Sequence, residues 1–181
     1  MGSIAVHEFI SLDGFFQDPS WTADYGFLPE MGEALGPITD AATAILLGRT
    51  TYEMFAPAWS NRTVEDDEGA PFFNDTPKYV VGSTAPNVDW PPLTRLGSYD
   101  PAKIAELKAD IDGGIFTSGS GTLVRAMLRD ELVDDLHLFV YPIVLGTGKR
   151  FWGESADPTR FALKGQQVFD NGVVHLHYGP A

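Results

Sequence analysis

Leu47-Gly48-Arg49-Thr50-Thr51-Tyr52-Glu53 and Thr117-Ser118-Gly119-Ser120-Gly121-Thr122-Leu123 are the two stretches that decide the fold. Each follows a short apolar run that reads as a buried strand, and each leads into a segment able to open a helix. Strand, glycine turn, helix is the geometry of an anion site. Glycine lets the backbone approach an oxyanion, the first helical N–H groups point outward unpaired, and the helix dipole favours negative charge there. Taken singly, each turn reads equally well as a tight turn with threonine caps and a solvated arginine. Taken together, with Ser83-Thr84 closing an intervening strand, they point to a ligand carrying phosphates in two places, such as a phosphorylated dinucleotide.

Working outward, Ile4 to Ile10 reads as a first strand ended by the turn Ser11-Leu12-Asp13-Gly14. A long loop through Tyr25 follows, its aromatics placed either to close over a flat ligand or to tuck the loop onto the core. From Phe27 to about Ala42, Leu28, Met31, Leu35, Ile38 and Ala42 recur at helical steps, with Gly36-Pro37 expected to kink or break the helix. Ala44 to Leu47 is a strand, and a helix from Thr50 or Thr51 runs to about Ala56. Pro57 to Thr76 has no period and reads as a surface excursion. Lys78 to Gly82 and Thr94 to Leu96 are strands, Pro101 to Ile111 a helix, Gly114 to Thr117 a strand and Thr122 to Arg129 a helix. The rest is strand-rich: Leu136 to Val144, then Phe161 to Val168 and Val173 to Tyr178 about an Asn171-Gly172 hairpin turn.

Strands alternating with helices, then a strand-rich end, imply one α/β domain over residues 1–181 with a mixed, mostly parallel central sheet and an antiparallel C-terminal hairpin. Ligands of such sheets bind beyond the carboxyl ends of the strands, where Arg49, Ser83 and Gly119 all fall. The formal charge of −13 argues against nucleic acid and anionic membrane as partners. No apolar run approaches the roughly 18 residues of a membrane span, and no signal peptide is visible, so a soluble cytoplasmic protein is expected. The absence of cysteine removes thiolate nucleophiles and Cys-ligated zinc. His175 and His177 share one face of a strand, which suits two metal ligands, but no third ligand is evident; His137 reads as structural, and no metal is expected.

The motif Gly48-Arg49-x-Thr51-Tyr52-Glu53 resembles the cofactor signature of dihydrofolate reductases. The opening strand with Ser11-Leu12-Asp13-Gly14, the Gly119-Ser120-Gly121 turn and the segment Val133-Asp134-Asp135-Leu136-His137-Leu138 through Leu145-Gly146-x-Gly148-Lys149-Arg150 resemble the reductase domain of the bifunctional riboflavin-biosynthesis deaminase/reductase. The likeness covers nearly the whole chain and implies a dihydrofolate-reductase-like fold of about eight strands flanked by helices, with an NADPH site. By the resemblance, Arg49 and Ser83 contact the 2′-phosphate end of NADPH, Thr50, Thr51 and the Gly119-Ser120-Gly121-Thr122 turn hold its pyrophosphate, and Gly48, Thr84 and Leu123 complete the cofactor site. The zinc deaminase half is absent. Folate reductases place one carboxylate on the helix after the first loop, which here offers Glu30 and Glu33, and Asp13 is a third acid positioned to meet cofactor or substrate or to shape its own turn. The expected function is an NADPH-dependent reductase acting on a small heterocycle, a pterin or a riboflavin-pathway pyrimidine such as 5-amino-6-(5-phosphoribosylamino)uracil. An NADP(H)-binding protein without turnover is the alternative, and exposed C-terminal strands suggest a homodimer.

Overall fold

Short apolar strands joined by helices leave a central sheet both of whose faces must be covered, and the described residues meet that requirement with eight strands and five α-helices. The computed structural model describes residues 2–153 and 158–181. The strands are β1 (Ser3–Ser11), β2 (Ala42–Gly48), β3 (Lys78–Val81), β4 (Leu93–Gly97), β5 (Gly114–Ser118), β6 (Asp135–Tyr141), β7 (Phe161–Val168) and β8 (Val174–Pro180). The helices are α1 (Pro29–Ala41), α2 (Arg49–Trp59), α3 (Ala70–Asp75), α4 (Pro101–Asp110) and α5 (Gly121–Arg129). They form one sheet in the order β4-β3-β2-β5-β1-β6-β8-β7. All neighbours from β4 to β6 are parallel, while β8 runs antiparallel to both β6 and β7.

Strand alternation sorts the core. Ile4, Val6 and Ile10 of β1, Ala44 and Leu46 of β2 and Leu136 and Leu138 of β6 pack with Ile104 and Leu107 of α4 and Leu123, Val124 and Met127 of α5. Ile45 and Leu47, with Phe116, face the other way onto Ile38 of α1 and Tyr52 and Ala56 of α2. Further along that second face Phe139 and Tyr141 meet Met31 of α1. Among the described residues, no helix is long and apolar enough to cross a membrane.

Three expectations change. The break at Gly36-Pro37 does not occur: α1 continues through Pro37 to Ala41. Buried Met31 and Ile38 hold both halves of this helix on the sheet, and Thr39 Oγ1 donates to the Gly36 carbonyl (3.0 Å). The helix after Gly48 runs on through Pro57 to Trp59. The excursion before β3 contains α3, whose Phe72 and Phe73 make edge contacts with Phe116 (5.4 and 5.8 Å between ring centres). A six-residue helix is too short to leave a readable period in the sequence. The loop after Asp13-Gly14 also holds a short 3-10 helix, Pro19–Tyr25.

Candidate functional site

The chain leaves β1 for β2 and returns to place β5 between them, so the carboxyl ends of these three strands diverge into a cleft. Its volume is about 2170 Å³, more than one small ligand occupies. The two turns, 69 to 72 residues apart in sequence, are joined at its edge by one hydroxyl: Ser120 Oγ accepts from the Gly48 N–H (2.7 Å) and donates to Thr51 Oγ1 (2.8 Å). Behind them Tyr52, fully buried, donates to the Trp90 carbonyl (2.9 Å) and accepts from the Trp90 N–H (2.7 Å), which fixes the first turn of α2.

Glycine is required where the turns close. Gly119 and Ser120 both have positive φ (58° and 59°), and a Cβ on Gly119 would lie 3.0 Å from Thr51 Cγ2. A Cβ on Gly121 would meet Phe16 Cζ at 2.6 Å, so only glycine leaves room for that ring against the first residue of α5. Gly82 gives the same room to Arg49, whose Cβ would be 2.8 Å from an added methyl. A cradle of backbone with side chains excluded, at the start of two helices, fits phosphate.

Of the nominated residues, Gly48, Arg49, Thr50, Thr51, Ser83, Gly119, Ser120, Gly121, Thr122 and Leu123 all border the cleft, and the exposed Thr84 falls outside its lining. Arg49 is held by Glu53, one guanidinium nitrogen lying 2.8 and 2.9 Å from its two carboxylate oxygens. The Asn87 N–H, first, and Arg49 together keep the Glu53 carboxyl below its ordinary range. In this acidic chain six of the twelve Lys and Arg residues border the cleft: Arg49, Arg62, Arg125, Arg129, Lys149 and Arg150. Only five of the twenty-five acids do so among the described residues: Glu8, Asp18, Glu33, Asp67 and Glu68. The cleft is therefore the place in the molecule most suited to an anion.

The three nominated acids separate. Glu33 is exposed at the cleft, and Glu30, also exposed, is outside the lining. Asp13 uses its carboxylate as a clasp: it accepts from Ser11 Oγ (2.6 Å), the Leu145 N–H (3.1 Å) and the Gly146 N–H (2.8 Å). These donors, the Ser11 hydroxyl foremost, hold its pKa at about 2, which suits an ionised staple better than a proton donor. The staple ties the 145–151 segment to the β1 turn. Arg150 then lies over the Phe15 ring (5.0 Å), and Arg125 donates to the Phe151 carbonyl (2.7 Å).

Sequence reasoning missed the cleft floor. His7 and Glu8 are adjacent on β1, both line the cleft, and strand alternation turns them to opposite faces of the sheet. His7 points to the α1 side among Phe9, Phe116 and Phe139, with Nδ1 3.4 Å from Ser118 Oγ. Glu8 points to the α5 side near the Gly119 N–H. Each keeps one buried atom without a partner, His7 Nε2 and Glu8 Oε2. Burial lowers the His7 pKa to about 3, so its imidazole is neutral at neutral pH, and raises that of Glu8 well above its ordinary value, which favours the protonated carboxyl. A signal existed: a His-Glu pair inside a strand buried on both faces is costly unless it has a use.

Known proteins resemble this chain. The protein YwjB of Bacillus subtilis is 25% identical over 174 residues, spanning 93% of this chain and 92% of its own. YyaP of the same organism is 23% identical over 172 residues, spanning 93% and 90%. A Shewanella sp. PV-4 structure described as a riboflavin biosynthesis protein superposes with a TM-score of 0.78 at 19% identity, over 100% of this chain and 99% of that one. The diaminohydroxyphosphoribosylaminopyrimidine deaminase/5-amino-6-(5-phosphoribosylamino)uracil reductase of Thermotoga maritima gives 0.68 at 18% identity, over 99% of this chain and 57% of that one. Dihydrofolate reductase from Enterococcus faecalis, complexed with NADP(H), gives 0.62 at 13% identity over 98% and 96%. The fold is thus dihydrofolate-reductase-like. The model of the RibD C-terminal domain matches residues 3–175, and the chain belongs to that family.

Proposed function

We propose that this chain is an NADPH-dependent reductase acting on a small, flat heterocycle, a pterin or a pyrimidine of the riboflavin pathway. The observation that carries this reading is the union of the two turns in one basic-rimmed cleft, locked by Ser120. Arg49 and Ser83 would hold the 2′-phosphate, with Gly48 and Thr84 shaping that end. Thr50, Thr51 and the turn from Gly119 to Leu123 would hold the pyrophosphate. Bound there, the cofactor supplies the hydride, and the protein's part is positioning.

The floor supports a neutral partner for that hydride. On the α1 side His7, Phe9, Leu35 and Phe116 line the cleft, and the exposed Phe27 extends this apolar wall towards solvent. Such a slot excludes water around a planar ring while the free His7 Nε2 meets one polar atom of it. On the α5 side burial shifts Glu8 towards its protonated form, in which the carboxyl offers both a donor and an acceptor to an amide edge. Glu33 is the nominated acid placed to act at the mouth. Its exposure also favours the second reading, a binder of NADP(H) without turnover, because a useful acid at neutral pH needs burial.

Titration of NADPH and NADH during thermal unfolding tests the cofactor. Binding to the native state raises stability by about 2.7 kcal/mol at a hundredfold excess over the dissociation constant, and NADPH should give the larger shift. Absence of any shift at millimolar cofactor would refute both readings. NADPH oxidation with pterins and aminopyrimidines as acceptors then separates enzyme from binder.

A further inference from the structure

All four histidines of the chain lie on one face of the sheet. His7, His137 and His177 form a row across β1, β6 and β8, each opposite the next, and His175 sits two residues before His177 on the same face. His7 belongs to the cleft; the other three do not line it. With Asp135, two residues before His137, they form a second polar cluster inside the antiparallel part of the sheet. His137 and His175 are each only 8% exposed, whereas the side chains of Asp135 and His177 are each 27% exposed, so the cluster opens to solvent on one side.

Its contacts are close. The rings of His137 and His177 stack with centres 4.0 Å apart, and His137 Nδ1 is 3.0 Å from His175 Nε2. Asp135 Oδ1 lies 2.7 Å from His177 Nε2 and also accepts from Lys164 Nζ (2.7 Å). One donor atom each from Asp135, His137 and His177 can be chosen so that all lie within 4.8 Å of one another. The face is otherwise aromatic: Phe139 and Tyr141 follow at the next two inward positions of β6. Three imidazoles in place of such side chains are expensive for packing alone.

We propose that Asp135, His137 and His177 bind a divalent first-row transition metal, zinc by preference, with His175 orienting His137. Two imidazoles and a carboxylate are a zinc donor set that leaves one position open. Nδ1 of His137 is engaged by His175, which leaves Nε2 for the ion and supplies the ring hydrogen bond that metal-ligating histidines ordinarily make. A tetrahedral ion with ligands at about 2.0–2.1 Å needs donors roughly 3.3 Å apart, so side-chain rotation on a fixed strand register brings them into place. The register His137 opposite His177 is set by the antiparallel β6–β8 pairing. On β7 the residue opposite His177 is Gly165, which puts no side chain over it. The ammonium of Lys164 competes for Asp135 and must be displaced.

Protein stripped of metal and titrated with Zn²⁺ by calorimetry should bind one equivalent with a dissociation constant of about 1 μM or tighter. Co²⁺ should give the intense visible bands of a four-coordinate site. His177→Gln and Asp135→Asn, both at the partly exposed edge, should each weaken Zn²⁺ by more than about 100-fold, since changes even to groups behind a ligand cost about 10–100-fold. Lys164→Ala should tighten it. No saturable binding by about 100 μM Zn²⁺, or binding that survives both His177→Gln and Asp135→Asn unchanged, overturns the proposal.

Discussion

The rim and the floor of the cleft solve opposite electrostatic problems with residues a few ångströms of backbone apart. At the rim Arg49, Arg125 and Arg150 stay partly or fully exposed and keep their charge, in a chain that is otherwise strongly acidic. On the floor His7 and Glu8 are withdrawn from water, and burial disfavours the charged form of both. The base is held down at about 3 and the acid is pushed well above its ordinary value, by the same desolvation. The difference fits the ligand proposed above, anionic where it meets the helix N-termini and neutral where it meets the floor. Under that reading charge is kept where phosphates are held and disfavoured where a ring lies in a dry slot.

The largest expected effect comes from closing the rim. Gly119→Val forces a β-branched residue into a positive-φ position, at a cost of about 1–2 kcal/mol, and drives it against Thr51. The turn can then no longer present its backbone to a phosphate, and NADPH affinity should fall about 100-fold or more by calorimetry. The packed core should persist, so the native near-ultraviolet circular dichroism should be retained. Affinity within threefold of the parent would mean that this turn does not hold the cofactor.

The floor is tested through pH. His7 has its folded pKa near 3 against 6.5 unfolded, so the unfolded chain binds more protons between those values. Its contribution to stability is complete above 6.5 and is lost as pH falls. Glu8 has the opposite sign: raised above 4.5 in the fold, its contribution is complete below 4.5 and is lost as pH rises towards its folded value. Each group supplies a slope of about 1.4 kcal/mol per pH unit within its window. Above 4.5, where the two windows overlap, the slopes oppose each other, because folding there in effect moves one proton from an imidazole to a carboxylate. Subtracting the stability of Glu8→Gln from that of the parent should therefore leave a difference that falls with pH above 4.5. The same subtraction for His7→Phe should leave one that rises with pH up to 6.5. Denaturant melts with a chelator present give both curves, and flat differences would mean that the floor is not buried as described.

This contrast also explains what was legible in the sequence. The rim could be read because glycine, arginine and threonine after a strand carry their meaning locally: Gly48, Thr51 and Gly119 need only the turn beside them. The order of strands and the antiparallel end were legible for the same reason, since Asn171-Gly172 and the alternating apolar runs are local signals. The floor could not be read this way. His7 and Glu8 gain their character from Phe116, Phe139 and Gly119, more than a hundred residues away, and the one local signal, a His-Glu pair inside an apolar strand, does not say what surrounds it. Similarly, His175 and His177 lacked a visible third ligand because His137 and Asp135 reach them only through the β6–β8 register. Asp13 reads either as an acid facing cofactor or substrate or as a former of its own turn, and only the fold supplies its partners at Leu145 and Gly146. Helix α1 through Pro37 is the converse case, where a strong local signal was overruled by burial of Met31 and Ile38.

The smallest effects concern how much of the rim charge is free. Arg49 is paired with Glu53 at 2.8 Å, with the arginine side chain 37% and the glutamate 16% exposed, so part of its field is already spent inside the helix. If Arg49 nevertheless meets the 2′-phosphate, Arg49→Ala should weaken NADPH about tenfold, the value of one charge-assisted contact, and leave NADH within about twofold. Glu53→Gln should act in the other direction: it keeps an acceptor for the Asn87 N–H, removes the competing carboxylate, and should raise the preference for NADPH about threefold. Glu53 and Arg49 touch, so the double variant should not show the sum of the two changes; with Arg49 gone, Glu53→Gln should have almost no effect on the NADPH to NADH ratio. Equal losses for both cofactors in Arg49→Ala, or a ratio that moves in the double variant as it does in Glu53→Gln alone, would place the discriminating charge elsewhere on the rim, with Arg125 and Arg150 the next to be changed.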